Sequence, residues 1–232
     1  MKRFYKEVGF SATAGGFQVE LDGRSVKTPA RHALELPTAD LAKAICDEWA
    51  RQEEEIDPAH MPLLGLAQGA LDQVAQERER IAARIAGFAD SDMLYFRGDQ
   101  NQPALVKHQA EQWDPLLDWA RQRYDVSFVL IQGIMHQSQP ENTQRRLAEA
   151  VHAQDDFALA AMLALTGLTG SLIMVLGLVE EAFDADQLWS LANLEELWQE
   201  QQWGRDDIAV GKREKKQADY LDAVRFLRLS RT

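Results

Sequence analysis

Phe157-Ala-Leu-Ala-Ala-Met-Leu-Ala-Leu-Thr-Gly-Leu-Thr-Gly-Ser-Leu-Ile-Met-Val-Leu-Gly-Leu-Val179 runs for 23 residues without a charged side chain. A helix needs about 20 apolar residues to cross a bilayer, so length alone permits a span. The flanks argue against one. Asp155-Asp156 precede the stretch, Glu180-Glu181 follow it, and no Lys or Arg stands near either end. Gly167, Gly170 and Ser171 interrupt its middle. The stretch therefore predicts two buried helices joined at Gly167–Ser171, the centre of a helical core, with no stable membrane insertion.

Helical signals spread outward from this core. All seven prolines lie at or before Pro140, which leaves the following segments free to form long helices, expected at 184–203 and 207–229. Upstream, helical periodicity covers Leu63 to Phe88 and Pro103 to Tyr124, with Pro115 a candidate kink, and Pro140 to Ala153. Phe128 to Met135 is ambiguous between strand and buried loop. Thr38 is positioned to cap a helix reaching Glu53-Glu54-Glu55, with Leu41, Ile45 and Trp49 as its apolar stripe. The first residues differ. Phe17-Gln-Val-Glu-Leu21 alternates as a half-buried strand does, Asp22-Gly23 is a hairpin turn pair, and Arg24 to Thr28 continues the hairpin. Ala33 to Leu36 is a further short strand. The expected class is α+β, mainly α. Residues 1–60 form a small β-rich domain with one helix, and residues 61–232 form a helical domain.

The 232 residues carry a net charge of −12, unevenly spread. Residues 1–31 and 205–232 are each net +3, so the intervening segment holds −18. Nucleic acid is excluded as the main partner, because phosphate binding needs a basic footprint. The acidic middle is either a solvated helical surface or a docking surface for a basic partner. Met1-Lys-Arg3 leads into Phe4-Tyr-Lys-Glu7 rather than an apolar signal core, so a cytoplasmic location is expected. One cysteine, Cys46, precludes an intrachain disulfide and any cysteine-cluster metal site. No two of the five histidines stand at helical ligand spacing. No G-x-S-x-G or G-x-G-x-x-G occurs. Gly204 to Lys212 imitates a phosphate loop, but six residues separate its glycines where four are needed. Neither a metal nor a cofactor is expected. Two rivals remain at this level: a helical enzyme with a site assembled from scattered carboxylates, and a membrane-associated subunit using the apolar stretch.

The segment 188–204 carries the clearest binding signal. On one continuous helix, Leu191, Leu194 and Trp198 share a core-facing arc. Trp189, Asn193, Glu196, Glu200 and Trp203 share a nearly opposite arc, two large aromatics among carboxylates. Aromatics on an outward face favour interface hot spots. Glu195 sits at the edge of the core arc, where a carboxylate is either paired internally or reserved for a partner.

Five blocks of the chain together resemble the family of assembly chaperones for the ATP synthase alpha subunit. They are Val19 to Pro29, including Asp22-Gly23; Leu34 to Thr38 with Glu48-Trp49 and Gln52; Ile56-Asp-Pro58 with Met61-Pro62-Leu63; Asp92 to Arg97 with Gln112-Trp113-Asp-Pro-Leu116; and Glu195-Glu196-x-x-Gln199-x-x-x-Trp203-Gly204. The resemblance implies a non-enzymatic, monomeric chaperone that holds the free alpha subunit until it pairs with the beta subunit. It also implies a β-rich N-terminal part followed by a helical one. The family's functional glutamate matches Glu195 by spacing back from Trp203-Gly204, with Glu196 the alternative because Leu197 departs from the acidic residue of some relatives. Partner contact is therefore expected at Glu195, Glu196, Gln199, Trp203, Trp189 and Glu200. Structural roles are expected for Trp49, Asp22, Gly23, Pro62 and Trp113.

Overall fold

Asp22 and Gly23 adopt φ of 49° and 71°, the left-handed pair that closes a two-residue hairpin with the twist of its strands. This turn organises a four-stranded antiparallel sheet in a computed structural model that describes residues 1–99 and 101–231. β1 (Val8–Ala12) pairs along the whole of β2 (Phe17–Leu21). On the other side of β2, β3 (Arg24–Ser25) pairs at one end and β4 (Glu35–Leu36) at the other. The Asp22 carboxylate also accepts the backbone N–H groups of Lys6 and Glu7, at 2.9 and 2.8 Å, so the turn residue anchors the approach to β1. Those backbone donors hold its carboxyl below the usual range. β1 was not expected from the sequence: Val8, Phe10 and Ala12 alternate over only five residues, and the strand is largely exposed.

The described residues form two compact units. The first comprises Met1–Arg78, Asp155–Ala161 and the stretch from Leu221 onward. The second comprises Glu79–Gln154 and Met162–Tyr220. All of residues 1–60 belong to the first unit, which also draws on three later stretches.

In the first unit, Thr38 caps α1 (Ala39–Ala50) by accepting from the Leu41 N–H at 3.1 Å. Leu41, Ile45 and Trp49 are buried as the stripe requires, and the helix stops short of the acidic run at 53–55. Glu48, 3% exposed, turns its carboxylate onto the first turn of α2 (Pro62–Gly69), accepting from Leu63 N–H at 2.8 Å and Leu64 N–H at 2.9 Å. A carboxylate satisfies the orphan donors of a helix start and suits its dipole. Pro62 occupies the first position, where a missing N–H costs nothing. Gln52 accepts from the Asp57 N–H at 2.7 Å, and Asp57 caps the short turn Pro58–His60. The period from Leu63 onward hides two interruptions: a π-helical turn at Ala70–Val74, and a non-helical Glu77 inside α3 (Ala75–Ala86). α3 passes into the second unit at Glu79, where a further turn, α4 (Phe88–Ser91), follows.

In the second unit, α5 (Pro103–Tyr124) continues as helix through Pro115. α6 (Glu141–His152) is amphipathic. Of the ambiguous stretch 128–135, only β6 (Ile131–Gln132) is strand, paired in parallel with β5 (Phe96–Arg97). The apolar stretch is two helices, α7 (Asp156–Thr169) and α8 (Leu172–Val179), broken at Gly170 with φ of 69°. Gly167 lies inside α7 rather than at the joint. Every residue of α8 is buried, and no helix among the described residues is long and apolar enough to cross a membrane.

The joint is held by a buried acid. Asp92 is fully buried and accepts from Ser171 Oγ and the Ile173 N–H, both at 2.9 Å, and from the Leu94 N–H at 3.0 Å. Ser171 in turn caps α8 through the Met174 N–H. Trp113, 1% exposed, donates its indole N–H to the Leu191 carbonyl at 3.0 Å, and the Arg97 guanidinium lies 5.2 Å from its ring centre and 2.6 Å from Asp114. The remaining helices are α9 (Ala185–Ala192), α10 (Leu194–Trp203) and α11 (Asp207–Leu229).

Two outcomes follow for stability. Leu172→Asp places an unpaired charge at a site with no exposure, which costs several kcal/mol. The variant is expected to be insoluble or to melt far below wild type, and normal melting overturns the buried-helix reading. Burial also pushes the Asp92 carboxyl up to about 6. Because the folded form then holds its proton more tightly than the unfolded form, stability from this group is greatest at low pH and falls as pH rises through about 6. The unfolding free energy of wild type minus that of Asp92→Asn, from urea melts, should fall by about 1–2 kcal/mol between pH 4.5 and 7.5. A constant difference rules this out.

Candidate functional site

Asn193 divides the segment expected as one helix. Its backbone, at φ −107° and ψ 17°, leaves helical geometry, and its amide Nδ2 donates to the Trp189 carbonyl at 2.8 Å. The two halves therefore do not share one wheel. Trp189 is 5% exposed, inside the unit, with its ring 5.0 Å from that of Tyr220. It does not join an outward aromatic face. Trp203 does, at 75% exposure. Trp198 is half-buried against the His108 ring at 5.1 Å.

Glu195 is paired within the unit. Its residue is exposed, yet its carboxylate accepts from Gln109 Nε2 at 2.6 Å. Gln109 is fully buried on α5, and its Oε1 accepts from the Gly98 N–H at 2.8 Å. A relay thus fixes Glu195 from within and leaves lone pairs free outside. Glu196 is exposed and stands 3.4 Å from Arg213 of α11, while Glu200 makes the closer ion pair at 2.7 Å. The Arg213 hydrogen bond holds the Glu200 carboxyl below the usual range. Arg213, only 13% exposed, pins the start of α11 to α10.

The two helices enclose an open groove of about 490 Å³, lined among others by Glu196, Gln199, Trp203, Ile208 and Lys212. Ile208 is 72% exposed. Together Trp203 and Ile208 form an apolar pair ringed by three carboxylates, two lysines and Arg213, a composition suited to contact with another protein surface. Ile208, inside the stretch discounted as a phosphate loop, and Arg213, just after it, escaped sequence reasoning, since only the turn at Gly204, with φ of 94°, carries α11 back beside α10. No group of three or more His, Cys, Asp or Glu among the described residues is arranged to hold a metal ion. Trp49, Asp22, Gly23, Pro62 and Trp113 all serve the packing and turns described above.

Comparison with known proteins agrees with the five-block resemblance. A family model described as ATP12 chaperone protein matches residues 2–121. The protein atp12, mitochondrial, of Schizosaccharomyces pombe is 24% identical over 215 residues, covering 88% of this chain and 74% of that one. The crystal structure of Atp12 from Paracoccus denitrificans superposes with a TM-score of 0.94 at 36% identity, covering 99% of this chain and 98% of the other. A protein of Agrobacterium tumefaciens gives a TM-score of 0.93, also at 36% identity, over 98% and 85%. With a family match over more than half its length and a structural match over nearly all of it, this chain belongs to the ATP12 chaperone family.

Proposed function

We infer that the protein binds the free alpha subunit of the ATP synthase catalytic head and protects it until the beta subunit takes its place. It acts without a catalytic step, as a cytoplasmic monomer. The observation that carries this reading is the α10–α11 groove, where exposed Trp203 and Ile208 stand with Glu196, Gln199 and Glu200, while Glu195 is exposed on α10. An unassembled subunit exposes apolar surface that aggregates unless covered. A covering surface needs large side chains for area and charges for register, and it must yield to the rightful partner. Glu200 is held ionised by Arg213, which suits a fixed charge rather than a proton carrier. Trp189 is left out of the contact face because it is buried. Gln199 remains in it, exposed on the same helix.

Glu195 is the test. Glu195→Gln keeps an acceptor for Gln109 and removes only the charge, whereas Glu195→Lys reverses the charge and strands the Gln109 amide. Losing one partner of a desolvated charge pair costs about 2–5 kcal/mol, about 30-fold or more in affinity. Capture of purified free alpha subunit is expected to drop by at least that factor in Glu195→Lys and by less in Glu195→Gln and Glu196→Lys. Glu195→Gln should melt as wild type does. Full capture by Glu195→Lys removes the residue from the contact. Full capture by Glu195→Gln, with a large melting loss in Glu195→Lys, makes it a packing residue.

A further inference from the structure

The first unit carries an apolar groove that the client-contact reading does not use. It encloses about 790 Å³ between the strand run Leu21 to Pro29, the N-terminal residues Met1 to Tyr5, and the α1–α2 connection. The volume falls within the usual range of ligand sites. Its walls include Val26, Ile56, Met61 and Leu64, and its apolar surface continues outward over Phe4, 64% exposed, and Met1, 74% exposed.

Two observations say what would occupy it. The first is an unpaired donor. Trp49 lines the groove and is 7% exposed, and its indole Nε1–H is buried without a hydrogen-bond partner. Buried donors are almost always satisfied, because an unmade bond costs the full desolvation penalty. An occupant with a carbonyl or carboxylate oxygen supplies the missing acceptor. The second is charge. The charged residues lining the groove are Asp22, Arg24 and Lys27. Asp22 is already committed to the Lys6 and Glu7 N–H groups. Arg24 and Lys27 are exposed and make no salt bridge among the described residues. The groove thus offers two free cations in a protein whose net charge is −12. β3, which carries Arg24, also ends the β1-β2-β3 order, and edge strands are where extended chains add.

We propose that this groove binds an extended polypeptide segment of another protein that alternates apolar and acidic side chains, with its carboxylates on Arg24 and Lys27 and a backbone or side-chain oxygen on Trp49 Nε1–H. The net negative charge disfavours acidic ligands over most of the surface, and a charge reversal at Lys212 separates this rim from the basic side chains of the α10–α11 groove. The site is independent of Glu195, and its failure leaves the alpha-subunit reading untouched.

The probe is a fluorescein-labelled nonapeptide, Glu-Leu-Glu-Phe-Glu-Leu-Glu-Phe-Glu, with a counterpart carrying Lys at each Glu position, titrated against the full chain by fluorescence anisotropy. The acidic peptide is expected to bind saturably and at least tenfold more tightly than the basic one. The double substitution Arg24→Glu with Lys27→Glu, at exposed positions, should weaken the acidic peptide at least tenfold and invert the preference while leaving the melting curve unchanged. Trp49→Phe, which keeps a ring and removes the N–H, should weaken it about fivefold. Glu195→Gln and Lys212→Glu should leave it unaltered. Equal binding of the two peptides, no saturable binding, survival of the acidic preference after charge reversal, or loss of binding in Lys212→Glu each overturns the proposal.

Discussion

The second unit depends on one buried carboxylate. Asp92 lies where the chain has just left α4, and it reaches across the sequence to the break between α7 and α8, accepting from Ser171 Oγ and the Ile173 N–H. Without it, the start of α8 would bury orphan donors in the most apolar part of the protein, where no water relieves them. Because α8 has no exposed residue, its position is dictated by this cap and by the side chains packed around it. α5, which packs on α8, in turn carries both Trp113 and Gln109, and these support the Leu191 carbonyl and Glu195. One desolvated hydrogen-bond cluster therefore underlies the geometry of the candidate site. The first unit repeats the device with Glu48, whose buried carboxylate closes the start of α2.

Much of this was legible in the sequence because the signals were local. The Asp22-Gly23 turn, the Thr38 cap and the apolar stretch with acidic flanks each encode their structure within a few residues. What escaped was non-local or irregular. The π turn at Ala70–Val74 preserves an apolar period closely enough to read as unbroken helix. β1 alternates Val8, Phe10 and Ala12 over five largely exposed residues, a signal too short to mark a strand without its partner β2. Asn193 misled most. A wheel drawn through it gave Trp189 and Trp203 one face, whereas the break buries the first and exposes the second. The acidic pair at 195–196 was visible as a motif. Its Gln109 partner, 86 residues away, was not.

The candidate site shows how a surface can be both fixed and available. Glu195 is oriented by a buried amide, and Glu200 by a largely shielded guanidinium, so neither carboxylate has to be ordered when a partner arrives. Pre-ordered side chains lose less rotamer freedom on association. Trp203 adds area at the far end of α10, close to Ile208 across the Gly204 turn.

Apart from Leu194, α10 buries no residue of its own. The contrast with the wholly buried α8 implies a steep gradient of local opening free energy within a single unit. Backbone amides of α8 exchange with solvent only when the unit unfolds, while those of α10 exchange through cheap local excursions. A helix anchored this lightly can tilt and resettle at a cost far below that of unfolding the unit. Its end at Trp203 opens first, while the buried α8 stays in place.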